Sequence, residues 1–280
     1  MQFGIHLPHA GERATPALIR RFALQAEALG FDDIWVSEHI ILPRTQFPRK
    51  LPFYEPVLTL TWVAAVTERV KLGTSVLVLP MRHPIPLAKE LATLQNLSDG
   101  RLILGAGVGW LAPEFAALGV PFHERGRRMD EGIALMRAVW TQDPVTFATQ
   151  YIPAEITDMT MTPLPITPIP LWIGGNSDAA LRRTIRLADG WHGSRESPEQ
   201  TAAIVQRLRA VRPGADFTIS MRVNWNGRDL GELRERIAAY EAAGVQHIMV
   251  ASDLLRSADI DNWDAIIDGV GRLVAEGSAP

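Results

Sequence analysis

Alternation constrains this chain more than any other feature. Short apolar or β-branched runs recur eight times, each followed by a longer amphipathic stretch, the pattern of repeated βα units around a parallel sheet. The candidate strands are residues 3–7, 33–36, 71–77, 102–107, 171–174, 190–193, 217–223 and 247–251. Most are apolar on consecutive positions, as expected of strands covered on both faces. Helix signals fill the intervals. In residues 17–29, Leu18, Phe22, Ala26 and Leu29 share a face, Arg20, Arg21 and Glu27 fall mostly elsewhere, and Gly30 ends the run. Residues 233–243 repeat the unit before Gly244, and residues 87–97 run into the turn Ser98-Asp99-Gly100. Eight such units in 280 residues, 47% of them hydrophobic, predict one α/β domain over residues 1–280, a closed (β/α)₈ TIM barrel.

Three stretches exceed the length of a simple connection: residues 40–56 after strand two, 110–128 after strand four, and 151–170 before strand five. The last holds Pro153, Pro163, Pro165, Pro168 and Pro170, too many for a helix, and reads as an extended insertion. Extra length after barrel strands matters because those loops build the site. Composition then removes several chemistries. With no cysteine, disulfides, thiolate nucleophiles and sulfur-ligated metals are excluded, so redox work needs a bound cofactor. A formal charge of −3 without long like-charge runs argues against nucleic acid and anionic membranes as partners. The first residues lack a secretory pattern and no apolar run approaches a membrane span, so a cytoplasmic location is the expectation.

Polar and glycine residues collect where the predicted strands end: His6, Ser37, Glu38, His39, Ser75, Gly107, Gly109, Gly174, Gly175, Asn176, His192 and Asn224. Ser37-Glu38-His39 follows strand two directly. Adjacent side chains diverge there, so His39 is expected over the pocket while Glu38 orients a neighbour or cofactor; a cap, a surface acid and a packed imidazole give the same pattern. A metal site has no support, since the histidines lack ligand spacing and a carboxylate-rich partner set. Gly105, Gly107 and Gly109 alternate after strand four, but Trp110 stands where a dinucleotide fingerprint needs glycine. Such glycines admit a flat ring close to backbone, or simply allow tight strand packing. Gly174-Gly175-Asn176-Ser177 leads into a helix near Asp178, a place suited to an anion or to a plain helix cap.

These motifs, in this order, resemble the luciferase-like monooxygenase superfamily, in particular its coenzyme F420 (5-deazaflavin) dependent branch. The likeness runs through residues 30–39, 67–77, 91–105, 170–175 and 188–191, within the first 195 or so residues. The resemblance implies a (β/α)₈ fold, a homodimer, and a cofactor lying across the strand ends. It implies a non-prolyl cis peptide at Ser75–Val76 beneath the ring. It also implies Glu38 and His39 as catalytic residues beside that ring, with His6 near it, Gly107 and Gly109 along the cofactor tail, and Gly174, Gly175 and Asn176 at its phosphate. Arg44, Arg49 and Lys50 are candidates for meeting an oligoglutamate tail. Trp110 and Pro43 depart from the residues some deazaflavin dehydrogenases carry there, which argues against sugar-phosphate chemistry and for an apolar substrate wall. The implied activity is hydride transfer between F420 and a small organic substrate. An FMN-dependent monooxygenase supplied by a separate reductase, and a non-catalytic flavin-binding protein, are the alternatives.

Overall fold

The computed structural model describes residues 1–47, 51–252 and 262–277. Its main sheet closes on itself. The strands β1 (Gln2–His6), β2 (Asp33–Val36), β3 (Lys71–Thr74), β4 (Leu77–Val78), β5 (Leu102–Gly107), β8 (Leu171–Gly174), β9 (Gly190–Ser194), β10 (Thr218–Asn224) and β11 (His247–Ala251) all pair in parallel. With β3 pairing β5 and β11 pairing β1, eight staves form a barrel. The third predicted strand is two pieces, β3 and β4, with the cis Ser75–Val76 peptide between them.

Helices cover the outside, and their starts follow from local chemistry. α1 (Pro16–Ala28) opens with Thr15 accepting the Leu18 N–H and with proline at its first position; Gly30, at φ 82°, ends it. α2 (Pro56–Ala64) and α3 (Pro84–Leu97) begin with proline too. α6 (Asp178–Leu187) is capped by Ser177, α7 (Pro198–Arg209) by the reciprocal Ser197–Gln200 pair, and α8 (Leu230–Ala242) by Asp229. α9 (Trp263–Gly277) packs against α1.

The long stretches resolve differently. Residues 40–47 and 51–55 carry no helix and touch the barrel through a bridge between Phe53 and Ala10; Arg49 and Lys50 lie outside the described residues. Residues 110–128 hold the six-residue helix α4 (Ala112–Ala117) and the start of α5 (Arg125–Thr141). The proline-rich insertion is extended, as read, but part of it is a strand: β7 (Ile156–Met159) pairs antiparallel with β6 (Val145–Phe147), a hairpin the parallel βα pattern does not signal.

Burial separates two main cores from a small cluster of Val78, Met81 and Phe115. The larger joins the outer faces of the strands to the helices, with Ile34, Leu72, Leu104 and Ile248 in it. The smaller plugs the barrel with Trp35, Ile103, Trp172, Met249 and Ala251. Trp35 lies flat on His192, ring centroids 5.1 Å apart and 5° from parallel, and Trp172 packs on its other neighbours at 5.4 Å from Trp35. No helix among the described residues is long and apolar enough to cross a membrane.

Candidate active site

Above the tryptophan plug the barrel opens into a cavity of about 810 Å³ at the C-terminal ends of its strands. That is where barrels of this kind carry their sites, and the volume lies in the range of small-molecule pockets. Glu38, His39, Ser75, Val76, Gly107, Gly109, Gly174, Gly175 and Asn176 all line it. His6 does not. It sits fully buried one layer below, its Nε2 2.6 Å from Ser37 Oγ, and burial holds its imidazole well below the ordinary histidine range.

His39 has a partner that strand-end reading misses. Its Nδ1 lies 2.9 Å from Glu114 Oε2, while Glu114 Oε1 accepts the Ile40 and Ile41 N–H groups at 2.8 and 3.2 Å. Glu114 sits in the first turn of α4 and is buried. One carboxylate therefore fixes both the imidazole and the backbone leaving β2, and Nε2 is the ring nitrogen left for a bound group. Phe53 and Trp110 stand edge-on to the His39 ring at 5.2 and 6.0 Å, which makes this wall largely aromatic. The sequence offered one clue, a lone acid in an otherwise apolar short segment of a flagged insertion.

Glu38 turns elsewhere. Its Oε2 accepts the Val78 N–H and its Oε1 the Arg82 Nε, each at 2.6 Å, and Arg82 also reaches Glu55. Burial pushes the Glu38 carboxyl up, against the pull of Arg82. In this position Glu38 anchors β4, the piece of chain just past the cis peptide. Val76, between β3 and β4, is wedged between two glycines: a Cβ on Gly107 would come within 2.6 Å of it and one on Gly174 within 3.2 Å. Arg222, in the middle of β10, reaches into the same mouth, 3.3 Å from Ser37 Oγ and 3.2 Å from the Ser75 carbonyl oxygen. Nothing in its run of strand residues marked it beforehand.

At the opposite side Gly175 takes a φ of 106°, and Ser177 Oγ accepts the Ala180 N–H. The earlier N–H groups of α6 have no intrahelical acceptor, and the helix dipole there suits an anion. The Asn176 amide donates to Glu196, which also accepts the Ser194 N–H at 2.8 Å; burial raises the Glu196 carboxyl above its usual range. No cluster of metal-ligating side chains occurs among the described residues.

A closed parallel barrel with this polar mouth defines a class, and sequence comparison gives the family. Residues 1–225 match the luciferase-like monooxygenase family, and the chain belongs to it. An uncharacterized protein of Mycobacterium tuberculosis is 31% identical over 241 residues, 81% of this chain and 82% of its own length. The F420-dependent glucose-6-phosphate dehydrogenase of Kineococcus radiotolerans is 35% identical over 188 residues, 65% of this chain and 53% of that protein. Among solved structures, an F420-dependent secondary alcohol dehydrogenase in complex with an F420-acetone adduct superposes with a TM-score of 0.83 over 97% of both chains, at 17% identity. Coenzyme F420 dependent tetrahydromethanopterin reductase from Methanopyrus kandleri superposes at 0.76 over 99% of both, at 19% identity, so these two establish the shared fold.

Proposed function

We propose that this chain is an F420-dependent oxidoreductase that moves a hydride between the deazaflavin and a small organic substrate. The observation that carries the reading is the His39–Glu114 couple facing a strand-end cavity whose floor is Ser75–Val76. The 35% identity to F420-dependent glucose-6-phosphate dehydrogenases supports it.

The residues present fit such a group. Val76, braced by Gly107 and Gly174, offers a flat apolar support for a ring, and Gly175 with the first turn of α6 offers N–H donors to a phosphate. When bound, a deazaflavin supplies or accepts two electrons as hydride, chemistry that no side chain here can provide. The protein's own part is positioning and proton handling. Glu114 accepts the Nδ1–H of His39, so Nε2 faces the cavity and can give a proton to, or take one from, a substrate oxygen. Phe53 and Trp110 beside the ring favour a substrate with an apolar flank. Glu38 holds β4, and through it Val76, in place.

Calorimetric titration of the purified protein with F420 and with FMN tests the cofactor, and oxidation of reduced F420 by a panel of small carbonyl compounds tests the reaction. F420 binding, turnover, and its loss in His39→Ala are expected. Binding of FMN with none of F420 would overturn the reading in favour of a flavin monooxygenase.

A further inference from the structure

A continuous chain of hydrogen bonds crosses the barrel interior from its lower layer to the cavity floor. Asp33 Oδ1 meets His247 Nε2 at 2.8 Å; His247 Nδ1 meets Ser220 Oγ at 2.7 Å; Ser220 Oγ meets His192 Nδ1 at 2.7 Å; and His192 Nε2 meets Ser75 Oγ at 2.9 Å. All five residues are buried and come from five different strands or strand ends, with sequence separations from 27 to 214 residues between partners. Nothing in the hydride-transfer reading uses the lower four.

With both imidazoles neutral, such a chain has only two self-consistent directions, and its lower end selects one. The Trp35 indole N–H can only donate, and it donates to the same Asp33 Oδ1 at 2.5 Å. The same oxygen takes the His247 hydrogen at Nε2, which leaves Nδ1 of the neutral ring as an acceptor. Ser220 then donates to His247 and accepts from His192, which places the His192 hydrogen on Nδ1. His192 carries no second hydrogen, because burial above all lowers its pKa to about 3. Its Nε2 is therefore an acceptor, and the Ser75 hydroxyl hydrogen is committed to it.

We infer that Asp33, His247, Ser220 and His192 are positioning residues that set Ser75 Oγ as a hydrogen-bond acceptor toward the cavity, selecting a bound group that presents an N–H or O–H there. This rests on the reading that the cofactor lies over Ser75. The relay fixes one face of recognition from a residue at the far end of the barrel. A lone serine rotates to suit its ligand, whereas this one has its hydrogen already spent.

Histidine-selective ¹⁵N NMR of the protein without ligand reads the relay directly, with His192 and His247 assigned through His192→Asn and His247→Asn. The expected pattern is His192 protonated on Nδ1 and His247 on Nε2. In Ser220→Ala, His192 should move its hydrogen to Nε2, where Ser75 can still accept it, while His247 stays unchanged on Asp33. Ser75 then turns its hydrogen to the cavity, and the Kd for F420 should rise about tenfold. Ser220→Thr, which keeps the hydroxyl, should restore both. His192 on Nε2 in the unaltered protein, or an unmoved His192 in Ser220→Ala, overturns the relay. A switched His192 with unchanged F420 affinity overturns the role assigned to Ser75. Failure of the unaltered protein to bind F420 would instead remove the functional reading, and the histidine spectra would still decide the relay.

Discussion

The floor and the mouth of this barrel are built on the same strands, often with the same residue type, for opposite reasons. On the floor glycines make room for rings the protein itself supplies. A Cβ on Gly73 would sit 2.3 Å from the Trp35 ring, one on Gly4 2.0 Å from Asp33, and one on Gly105 1.8 Å from the Thr74 carbonyl oxygen. At the mouth a Cβ on Gly174 would meet nothing nearer than a Val76 methyl at 3.2 Å, and the cavity lies beyond. Below, close fit makes a plug; above, the same economy of side chain leaves a vacancy shaped for a ligand. The polar groups divide likewise. On the floor Asp33, His247, Ser220 and His192 pair among themselves, while His39 keeps one nitrogen toward the opening.

Gly105→Ala strikes the floor hardest. Its new methyl would meet backbone, and relief requires parting β3 from β5, so the cost should exceed about 3 kcal/mol and show as a collapsed urea midpoint or little folded protein. A midpoint near that of the unaltered chain would break the contrast at its root. A second test is acid. Burial above all keeps His192 at about 3 and His9 at about 4. Both stay neutral in the folded protein while the unfolded chain protonates them below about 6.5. The unfolded state thus binds more protons across that window, so stability is complete above pH 6.5 and is lost as pH falls toward 4. His9→Gln should remove about 2 kcal/mol of the loss between pH 7 and 5, measured by urea unfolding at both. An identical loss in the variant would mean that His9 is charged in the folded protein.

Glu114→Gln tests the mouth. One oxygen can still accept the Ile40 and Ile41 N–H groups, but an amide NH2 then faces His39 Nδ1 in place of the acceptor that orders the ring. Turnover should fall about tenfold with the melting temperature nearly unchanged. A large melting shift with normal turnover would make Glu114 a structural brace alone. Glu114 also marks the limit of what the sequence can carry. The eight staves were legible because each repeats a local period, and the strand-end glycines and His39 were legible because strand ends face one rim. Glu114 was not, since its meaning depends on α4 folding back over β2, 75 residues away in the chain. Ser220, His247 and Arg222 hid for the same reason: strand register alone brings them inward. The 145–159 hairpin was missed because antiparallel pairing breaks the βα metre that revealed everything else.

The smallest expected effect sharpens the comparison best, because it makes the change of Gly105→Ala again, one neighbouring strand over. In Gly174→Ala the added methyl presses on a side-chain methyl of Val76 at 3.2 Å, and the next atoms, both backbone oxygens, stand at 3.6 Å. Val76 borders open space and can give by the few tenths of an ångström required, so folding should lose less than about 1 kcal/mol. The ligand has no such freedom. A methyl on the wall beside the ring support lifts whatever rests on Val76, and F420 affinity should fall about tenfold while the urea midpoint barely moves. Equal losses of stability in Gly174→Ala and Gly105→Ala would mean that the mouth is packed like the floor. Undiminished affinity in a well-folded Gly174→Ala would mean that the cofactor rests elsewhere in the cavity than on Val76.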